Sequence, residues 1–464
     1  MKVQHSTTPR SEKRTDRKLA RQWNSIDWIA IKFRVNRLQT RIAKATQNEN
    51  WNLVKRLMYL LTHSYSTKLL TVRIVTQNHG KRTAGVDGKL CTTASDKMQA
   101  ALSLTDKHYH AHPLRRIYIP KPGKSTKRPL SIPTMSDRAM QILYALALQP
   151  VAETTADTRS FGFRLFKCAQ DASIYAFRCL WQDTSSPWIL EGDIKGCFDN
   201  ISHSWLKNNI PIDRSILSQF LKSGFIFDDT FYHTNKGAPQ GSPISPLLAN
   251  MTLDGIEKLL KERLPKMKVY FIRYSDDFLV ITPSKEIADE VREIIHDFLA
   301  IRGLELSPEK TVITHIDDGF DFLGWNFRKY KGKLLIKPSQ KSIKSITQNL
   351  KTIVNKAKSW TQNELIKTLN PVIRGWANYH RHIVAKDTFS KLDSYLWEIT
   401  WRWGKRRHTN ITNGLQTSIG PLKVPETGFL KQKSPSSLNF QMPKSADILC
   451  LNLMPTPILT GITS

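Results

Sequence analysis

Phe-Ile-Arg-Tyr-Ser-Asp-Asp-Phe-Leu-Val, at residues 271–280, sets two adjacent carboxylates, Asp276 and Asp277, between two short apolar runs. Residues 269–274 and 278–281 are rich in β-branched and aromatic side chains, which favour strands. The residues between them are predicted to form a tight reversal that places both carboxylates at a hairpin tip. An isolated Asp-Asp pair is most often only a turn, so its interpretation depends on the rest of the chain.

A third aspartate, Asp193, closes another apolar run, Trp-Ile-Leu-Glu-Gly-Asp-Ile at residues 188–194. Carboxylate oxygens are hard ligands suited to Mg²⁺. Two such ions about 3.5 to 4 Å apart can activate an attacking hydroxyl group and stabilise a leaving oxygen. Asp193 and Asp276 could bridge a pair of ions if their strands are neighbours. The pattern therefore predicts a metal-dependent nucleotide polymerase.

Two further segments have the composition of ligand-binding loops. The first, at residues 237–246, contains three prolines and two glycines around Gln240 and leads into a helix predicted to begin near Ser245 or Pro246. Glycine lets backbone approach a ligand closely, and a glutamine can donate and accept hydrogen bonds. The second is a predicted hairpin around a Pro-Gly turn, which could close over a triphosphate, although such turns are usually solvated loops. Its basic side chains are Lys121, Lys124, Lys127 and Arg128.

The charge of the chain predicts a polyanionic partner. Its 464 residues, enough for two or three domains, carry a formal net charge of +31. Such a charge makes nucleic-acid binding tight and strongly salt-dependent. Residues 328–358 contain ten Lys or Arg and no Asp or Glu.

The cysteines and the apolar runs exclude several other classes of protein. The five cysteines are far apart and include no Cys-x-x-Cys pair, so neither a disulfide framework nor a zinc site is indicated. No apolar run approaches the length of a membrane span, and no secretory signal is present. We expect a protein of the bacterial cytoplasm or one encoded in an organelle, neither secreted nor bound to a membrane.

Seven motifs in a fixed order resemble the reverse transcriptases encoded by group II introns. They include Ser-Phe-Gly-Phe-Arg at 160–164, Tyr-Ser-Asp-Asp at 274–277 and Gly-Phe-Asp-Phe-Leu-Gly-Trp at 319–325, and the others lie at 129–133, 191–201, 237–250 and 306–311. Residues 82–88 are similar to the N-terminal extension of that family. Blocks at 374–380, 389–393 and 401–408 are similar to its thumb, or maturase domain.

The resemblance implies a role for particular residues. Asp193, Asp276 and Asp277 match the family's palm ligands for two Mg²⁺ ions. Phe198 matches the aromatic residue that packs under the incoming sugar and excludes a 2′-hydroxyl group. The expected nucleotide-binding residues are Lys121, Arg128, Phe198, Gln240 and Lys310, with Lys124 and Lys127 close enough to replace Lys121. The expected primer grip is Phe322, Leu323, Gly324 and Trp325, where Gly324 allows close approach of the backbone to the primer.

The thumb segment is expected to bind RNA. Residues 339–408 are predicted to be mostly helical, with aromatic and basic residues interleaved. Rings can stack on unpaired bases, but for any single ring a position in the core is equally expected. For the basic side chains we expect contacts with RNA. These residues are Arg374, Arg402, Lys405, Arg406 and Arg407.

Two departures from the family pattern affect the interpretation. Residues 165–168 are Leu-Phe-Lys-Cys, and Gln170 precedes Asp171, where the family has Pro, a small residue, Arg and Ser and then a His-Asp pair. Template handling is therefore expected to be altered. Residues 410–464 contain six prolines and no counterpart of the family's DNA-binding segment or His-Asn-His nuclease. We expect a divergent, poorly ordered tail there.

We therefore expect an α+β, right-hand polymerase fold with fingers and palm around an antiparallel sheet. The expected divisions are a basic disordered arm at 1–22, a helical N-terminal extension at 23–80, fingers and palm at 81–327, an all-helical thumb or maturase domain at 328–409 and the tail.

The expected function is RNA-directed DNA synthesis from deoxynucleoside triphosphates on an RNA template with a DNA primer. The chain would also bind its intron RNA to assist splicing and intron mobility, and a homodimer is compatible with this class. The alternative is a splicing-only maturase with a vestigial polymerase fold, which the altered residues 165–170 favour and the retained carboxylates oppose. Other prokaryotic reverse transcriptases, such as retron enzymes, are disfavoured by the long N-terminal extension and by the block at 376–408.

Overall fold

The computed structural model describes residues 9–120 and 127–407, with side chains described for 15–120 and 127–406. The described residues divide into two compact units. The first unit comprises residues up to 168 and residues 190–312, and the second comprises residues 169–189 and residues from 313 onward. The tip of the predicted basic hairpin, at 121–126, and the predicted tail, at 410–464, lie outside the described residues.

Groups of helices alternate with groups of short strands along the chain. The helices are α1 (Pro9–Asn24), α2 (Trp28–Gln47), α3 (Trp51–His63), α4 (Tyr65–Gln77), α5 (Ala94–Ser103), α6 (Met135–Thr155), α7 (Ala169–Leu180), α8 (Cys197–Asn200), α9 (His203–Asn209), α10 (Arg214–Lys222), α11 (Ser245–Leu253), α12 (Ile256–Arg263), α13 (Lys285–Ala300), α14 (Gln340–Lys356), α15 (Gln362–His380) and α16 (Lys386–Arg407). Short 3₁₀ turns occur at His79–Arg82 and Ala357–Ser359. The strands are β1 (Leu114–Pro120), β2 (Lys127–Ile132), β3 (Trp188–Asp193), β4 (Phe225–Phe227), β5 (Thr230–Tyr232), β6 (Tyr270–Tyr274), β7 (Asp277–Thr282), β8 (Val312–His315), β9 (Phe320–Phe322), β10 (Trp325–Tyr330) and β11 (Lys333–Pro338).

The N-terminal helices form their own apolar cluster around buried residues of α2, α4 and α5. We expected residues 1–22 to be a disordered arm, but the structure has α1 there from Pro9 onward. Trp23 is buried in the cluster, and the Ser95 hydroxyl of α5 donates a hydrogen bond to the Asp16 carboxylate at 2.9 Å. The high density of charge in α1 concealed this packing in the sequence.

The two sheets of the polymerase region are built from β1–β8. Strands β1 and β2 are antiparallel from the pair Arg115 and Ile132 to the pair Pro120 and Lys127, so the predicted hairpin has its two strands. That sheet has the order β2-β1-β4-β5, and the other has the order β6-β7-β3-β8. Strands β6 and β7 are antiparallel, and Tyr274 pairs with Asp277. The hairpin predicted around Asp276 is therefore confirmed.

The second unit contains a small sheet of order β11-β10-β9 and the helices α14–α16, which enclose an apolar core. Residues 328–338, expected in a helical segment, lie in β10 and β11. Their burial alternates with a period of two, as the pleat of a strand requires. Trp376 and Trp403 pack against the helical core, whereas Trp397 is 48 % exposed and stacks on Trp401.

Among the residues that the structure describes, none of the helices combines the length and hydropathy needed to span a bilayer.

The central helix α6 yields a test of the first unit. Leu148 lies in α6 and is fully buried, whereas Leu102 in α5 is 51 % exposed. Leu148→Ala should lower the free energy of unfolding by about 2–5 kcal/mol, because a cavity is left in the core. The same change at Leu102 should stay within about 0.5 kcal/mol. Chemical denaturation followed by circular dichroism measures both, and equal losses would contradict the described packing.

Candidate active site

Three carboxylates lie at one edge of the β6-β7-β3-β8 sheet. Asp193 is the last residue of β3, and Asp277 is the first residue of the neighbouring strand β7. Ser275 and Asp276 form the reversal between β6 and β7, where Ser275 has a left-handed backbone with φ of 60°. The carboxyl group of Asp193 lies close enough to Asp277 to contribute to its raised pKa. Strand pairing thus places the third aspartate beside the adjacent pair.

Burial and neighbouring negative charges both affect the ionisation of Asp277. Part of Asp277 is exposed, but surrounding protein atoms desolvate its carboxyl group and, together with Asp276 and Asp193, raise its pKa above the ordinary value. The Lys310 ammonium group lies 2.5 Å from Oδ2 of Asp193. Its hydrogen bond with Asp193 raises the pKa of Lys310. This ion pair offsets part of the negative charge.

Two glycines allow the chain to pass close to the cluster. A Cβ atom on Gly192, the residue before Asp193, would lie 2.0 Å from the ring of Phe278. A Cβ atom on Gly162 would lie 2.3 Å from the backbone nitrogen of Ser275. Any side chain at Gly162 would therefore displace the reversal at Ser275.

A buried guanidinium group holds this reversal from inside the protein. Arg273 is fully buried and donates hydrogen bonds to the Asp254 carboxylate at 2.5 Å, to Oδ1 of Asn250 at 3.1 Å and to the carbonyl oxygen of Ser275 at 3.2 Å. Burial raises the pKa of Asp254 to about 6, although Arg273 opposes the shift. Arg273 was not among the site residues predicted from the sequence motifs. An arginine in an otherwise apolar strand was the signal that could have revealed it, since buried charges are found paired.

The expected nucleotide-binding residues lie on four segments of the first unit, of which the one with Lys310 is described above. Phe198 is half-buried in the short helix α8. Gln240 donates a hydrogen bond from Nε2 to the Asp199 carboxylate at 3.1 Å. The backbone carbonyl oxygen of Gln240 accepts a 2.7 Å hydrogen bond from the backbone nitrogen of Ser131. Ser131 is the second-last residue of β2. Arg128 is exposed on β2. Lys121 and Lys124 lie outside the described residues.

The expected primer grip is a tight turn in the second unit. Leu323 and Gly324 both have positive φ, 52° and 83°, and they link the paired residues Phe322 and Trp325. The side chains of Phe322 and Trp325 are buried. Leu323 and Gly324 are therefore the part of the segment that is accessible to a ligand. The Tyr379 hydroxyl group donates to the carbonyl oxygen of Leu323 at 2.8 Å and holds the turn.

The expected RNA-binding side chains differ in their surroundings. Arg374, Lys405 and Arg406 are exposed, as is Arg402, which forms an ion pair with Glu398 one turn earlier in α16. The side chain of Arg407 lies outside the described residues.

Comparison with known proteins identifies the class to which this fold and site belong. A family model described as "Reverse transcriptase (RNA-dependent DNA polymerase)" matches residues 119–327. The model "N-terminal domain of reverse transcriptase" matches residues 23–104. The model "Group II intron, maturase-specific domain" matches residues 343–418. The fold is therefore that of a right-hand polymerase, joined to a maturase domain.

Similar proteins narrow the class. Protein YkfC of Escherichia coli is 29 % identical over 338 residues, which cover 62 % of this chain and 87 % of that protein. The group II intron-encoded protein LtrA of Lactococcus lactis is 28 % identical over 405 residues, covering 65 % of this chain and 66 % of LtrA. Maturase-like protein 1 of Euglena gracilis is 26 % identical over 360 residues, covering 75 % and 74 %. The chain belongs to the group II intron-encoded reverse transcriptases, which combine an RNA-directed DNA polymerase with a maturase.

The Arg273 network yields a test that separates stability from activity. Arg273→Met should lower the free energy of unfolding by about 3–5 kcal/mol, because Asp254 is left buried without its partner. Adding Asp254→Leu removes the second charge and should restore much of that loss. Primer extension should remain low in the double variant, since the Ser275 carbonyl group has still lost its donor. Recovery of activity together with stability would show that Arg273 does not hold the reversal.

Proposed function

We propose that this chain synthesises DNA on an RNA template with Asp193, Asp276 and Asp277 as the ligands of two Mg²⁺ ions. The observation that supports the proposal is the convergence of these carboxylates where β3 ends beside the β6–β7 reversal. A polymerase centre needs this arrangement because both ions must act on one phosphate.

The donor set fits a hard divalent cation. Its atoms are carboxylate oxygens. Burial and, after it, the neighbouring carboxylates raise the pKa of Asp277, and a cation would relieve this cost of ionisation. Within the described parts of the chain, no group of three or more His, Cys, Asp or Glu side chains is arranged so that it could hold a metal ion. The carboxylates would therefore turn toward the ions on binding, and Asp193 would exchange the Lys310 ammonium group for an ion.

Bound Mg²⁺ supplies activation of the primer 3′-hydroxyl group and stabilisation of the leaving oxygen at the α-phosphate of a deoxynucleoside triphosphate. Asp193, Asp276 and Asp277 would hold the pair of ions. Lys310, released from Asp193, becomes available to a nucleotide phosphate. Arg128, which is exposed on β2, would contact the same anionic ligand.

The base and sugar of the nucleotide meet a second set of residues. Gln240, held by Asp199, lines the pocket with an amide that can turn between donor and acceptor. Phe198 packs under the sugar and excludes a 2′-hydroxyl group by steric contact. The 323–324 turn supports the primer end.

The same chain binds RNA, as its reverse transcriptase and maturase domains imply, and we propose that its parent intron is one such RNA. Helix α16 presents Lys405 and Arg406 to solvent, one turn beyond the stacked rings of Trp397 and Trp401. Basic side chains can bind phosphates, and aromatic rings beside them can stack on unpaired bases. This combination suits structured RNA. Splicing by such introns is RNA chemistry, so the protein would stabilise the folded RNA without supplying catalytic groups.

The metal assignment is tested by Asp276→Asn. We expect Mg²⁺-dependent synthesis on a primed RNA template to fall below roughly one per cent of wild type, because a carboxylate ligand is lost. Binding of intron RNA should change little, since one charge is small among many phosphate contacts.

Another Asp-Asp turn in the same unit gives the matched control. Asp228 and Asp229 link β4 to β5, also with positive φ, so Asp228→Asn makes the same chemical change in a comparable turn. It should leave synthesis near wild type. Activity retained by Asp276→Asn would remove Asp276 from the ligand set.

The RNA-binding proposal is tested by neutralising Arg402, Lys405 and Arg406 together with glutamine. Intron affinity and protein-assisted splicing should fall, and the log-log salt dependence of binding should become shallower by about 0.7–0.9 per lost phosphate contact. Extension of a generic primed template at low salt should be affected less.

The control removes three exposed charges from the other unit, by glutamine at Lys258, Arg263 and Lys285. Equal loss of intron affinity in both triple variants would indicate a general effect of net charge. Unchanged splicing with collapsed polymerisation in the first would make α16 a primer-template clamp and end the maturase role proposed for it.

A further inference from the structure

Phe163 has a backbone conformation that few aromatic residues adopt. Its φ is 56°, in the left-handed region that favours glycine, and its side chain is 41 % exposed. A bulky residue there is uncommon, and such strain persists only where the surroundings impose it, which is most often at functional sites. An exposed ring gains little from burial, so burial does not explain the strain.

The segment before Phe163 is fixed to the catalytic hairpin. The backbone nitrogen of Phe161 donates to the carbonyl oxygen of Arg273 at 2.8 Å. Asn250 donates from Nδ2 to the carbonyl oxygen of Gly162 at 2.8 Å, and Gly162 lies against the backbone of Ser275.

The segment after Phe163 is fixed as well. The Arg164 guanidinium group forms an ion pair with Glu153 at 2.8 Å and donates to the carbonyl oxygen of Asp157 at 3.3 Å. Phe163 is therefore held between anchored residues. They fix the direction in which its Cα–Cβ bond leaves the backbone.

That direction brings Phe163 to Phe198. The two ring centroids are 6.3 Å apart and the ring planes are 86° apart, an edge-to-face pair of the geometry that aromatic rings prefer. Phe198 is half-buried on the short helix α8. The edge-to-face contact with Phe163 favours one orientation of the Phe198 ring.

We propose that Phe163 is a positioning residue for sugar discrimination: its ring holds Phe198 in the orientation that excludes the 2′-hydroxyl group of ribonucleoside triphosphates. This inference rests on the role proposed above for Phe198. Without Phe163 the ring of Phe198 would turn more freely, and a ribonucleotide would meet less steric resistance. The strained backbone then has a purpose, since it directs an aromatic edge at the residue that contacts the sugar.

The experiment compares Phe163→Leu with Phe166→Leu in the full-length chain. Phe166 is a matched control, because it is exposed, has a φ of 57° and, among the described residues, has no ring contact with Phe198. The readout is the ratio of kcat/KM for a ribonucleotide to kcat/KM for the matching deoxynucleotide, on one primed RNA template. Thermal unfolding of each variant checks the fold.

Phe163→Leu should raise this ratio roughly two- to tenfold, the factor that corresponds to loss of one aromatic pair. Phe166→Leu should leave it unchanged, and Phe163→Tyr, which keeps the ring, should stay near wild type. In a Phe198→Ala background, Phe163→Leu should add nothing, because the two residues act as one unit.

The remaining outcomes contradict the inference in distinguishable ways. If Phe198→Ala raises the ratio and Phe163→Leu does not, Phe163 has no part in discrimination while the role of Phe198 stands. If neither change raises it, the role proposed for Phe198 fails first. If Phe163→Leu slows both nucleotides equally, Phe163 supports the hairpin or the template and not the choice of sugar.

Discussion

Mutual repulsion among Asp193, Asp276 and Asp277 is the constraint that the surrounding structure has to satisfy. Burial disfavours the ionised form of Asp277, and the neighbouring carboxylates disfavour it further, so its pKa is raised. Two basic side chains stabilise the cluster against this repulsion. Lys310 pairs with Asp193 at the surface, and Arg273 holds the reversal from below through the Ser275 carbonyl group. A site that repels its own charges in this way is prepared for cations.

The sequence predicted those parts of the site that depend on local chemistry. Apolar and β-branched residues on both sides of Asp276 predicted the β6–β7 hairpin, because strand preference and turn composition act over neighbouring residues. The start of α11 was predicted near Ser245 or Pro246, because proline suits the first turn of a helix, and the helix begins at Ser245. The order of the motifs predicted the polymerase class, which the family models confirm.

Other parts depend on contacts between distant residues, which local patterns do not encode. Arg273 pairs with Asp254 nineteen positions earlier, and the conformation of Phe163 is imposed by Asn250, Arg273 and Glu153. Helix α1 was missed because its apolar face is narrow beside its charge. Residues 328–338 were assigned to a helical segment from charge and motif order, although their burial alternates as in strands.

The central claim is that the three carboxylates form a two-metal polymerase centre. Its most direct test is anomalous diffraction at the manganese edge, from crystals of the wild-type chain with a primed RNA template, a non-hydrolysable deoxynucleoside triphosphate and Mn²⁺ in place of Mg²⁺. The account predicts manganese peaks at coordination distance, about 2.0–2.2 Å, from carboxylate oxygens of Asp193 and Asp276 beside the nucleotide phosphates. Bound nucleotide with no manganese at either carboxylate, or with manganese held elsewhere, would contradict it.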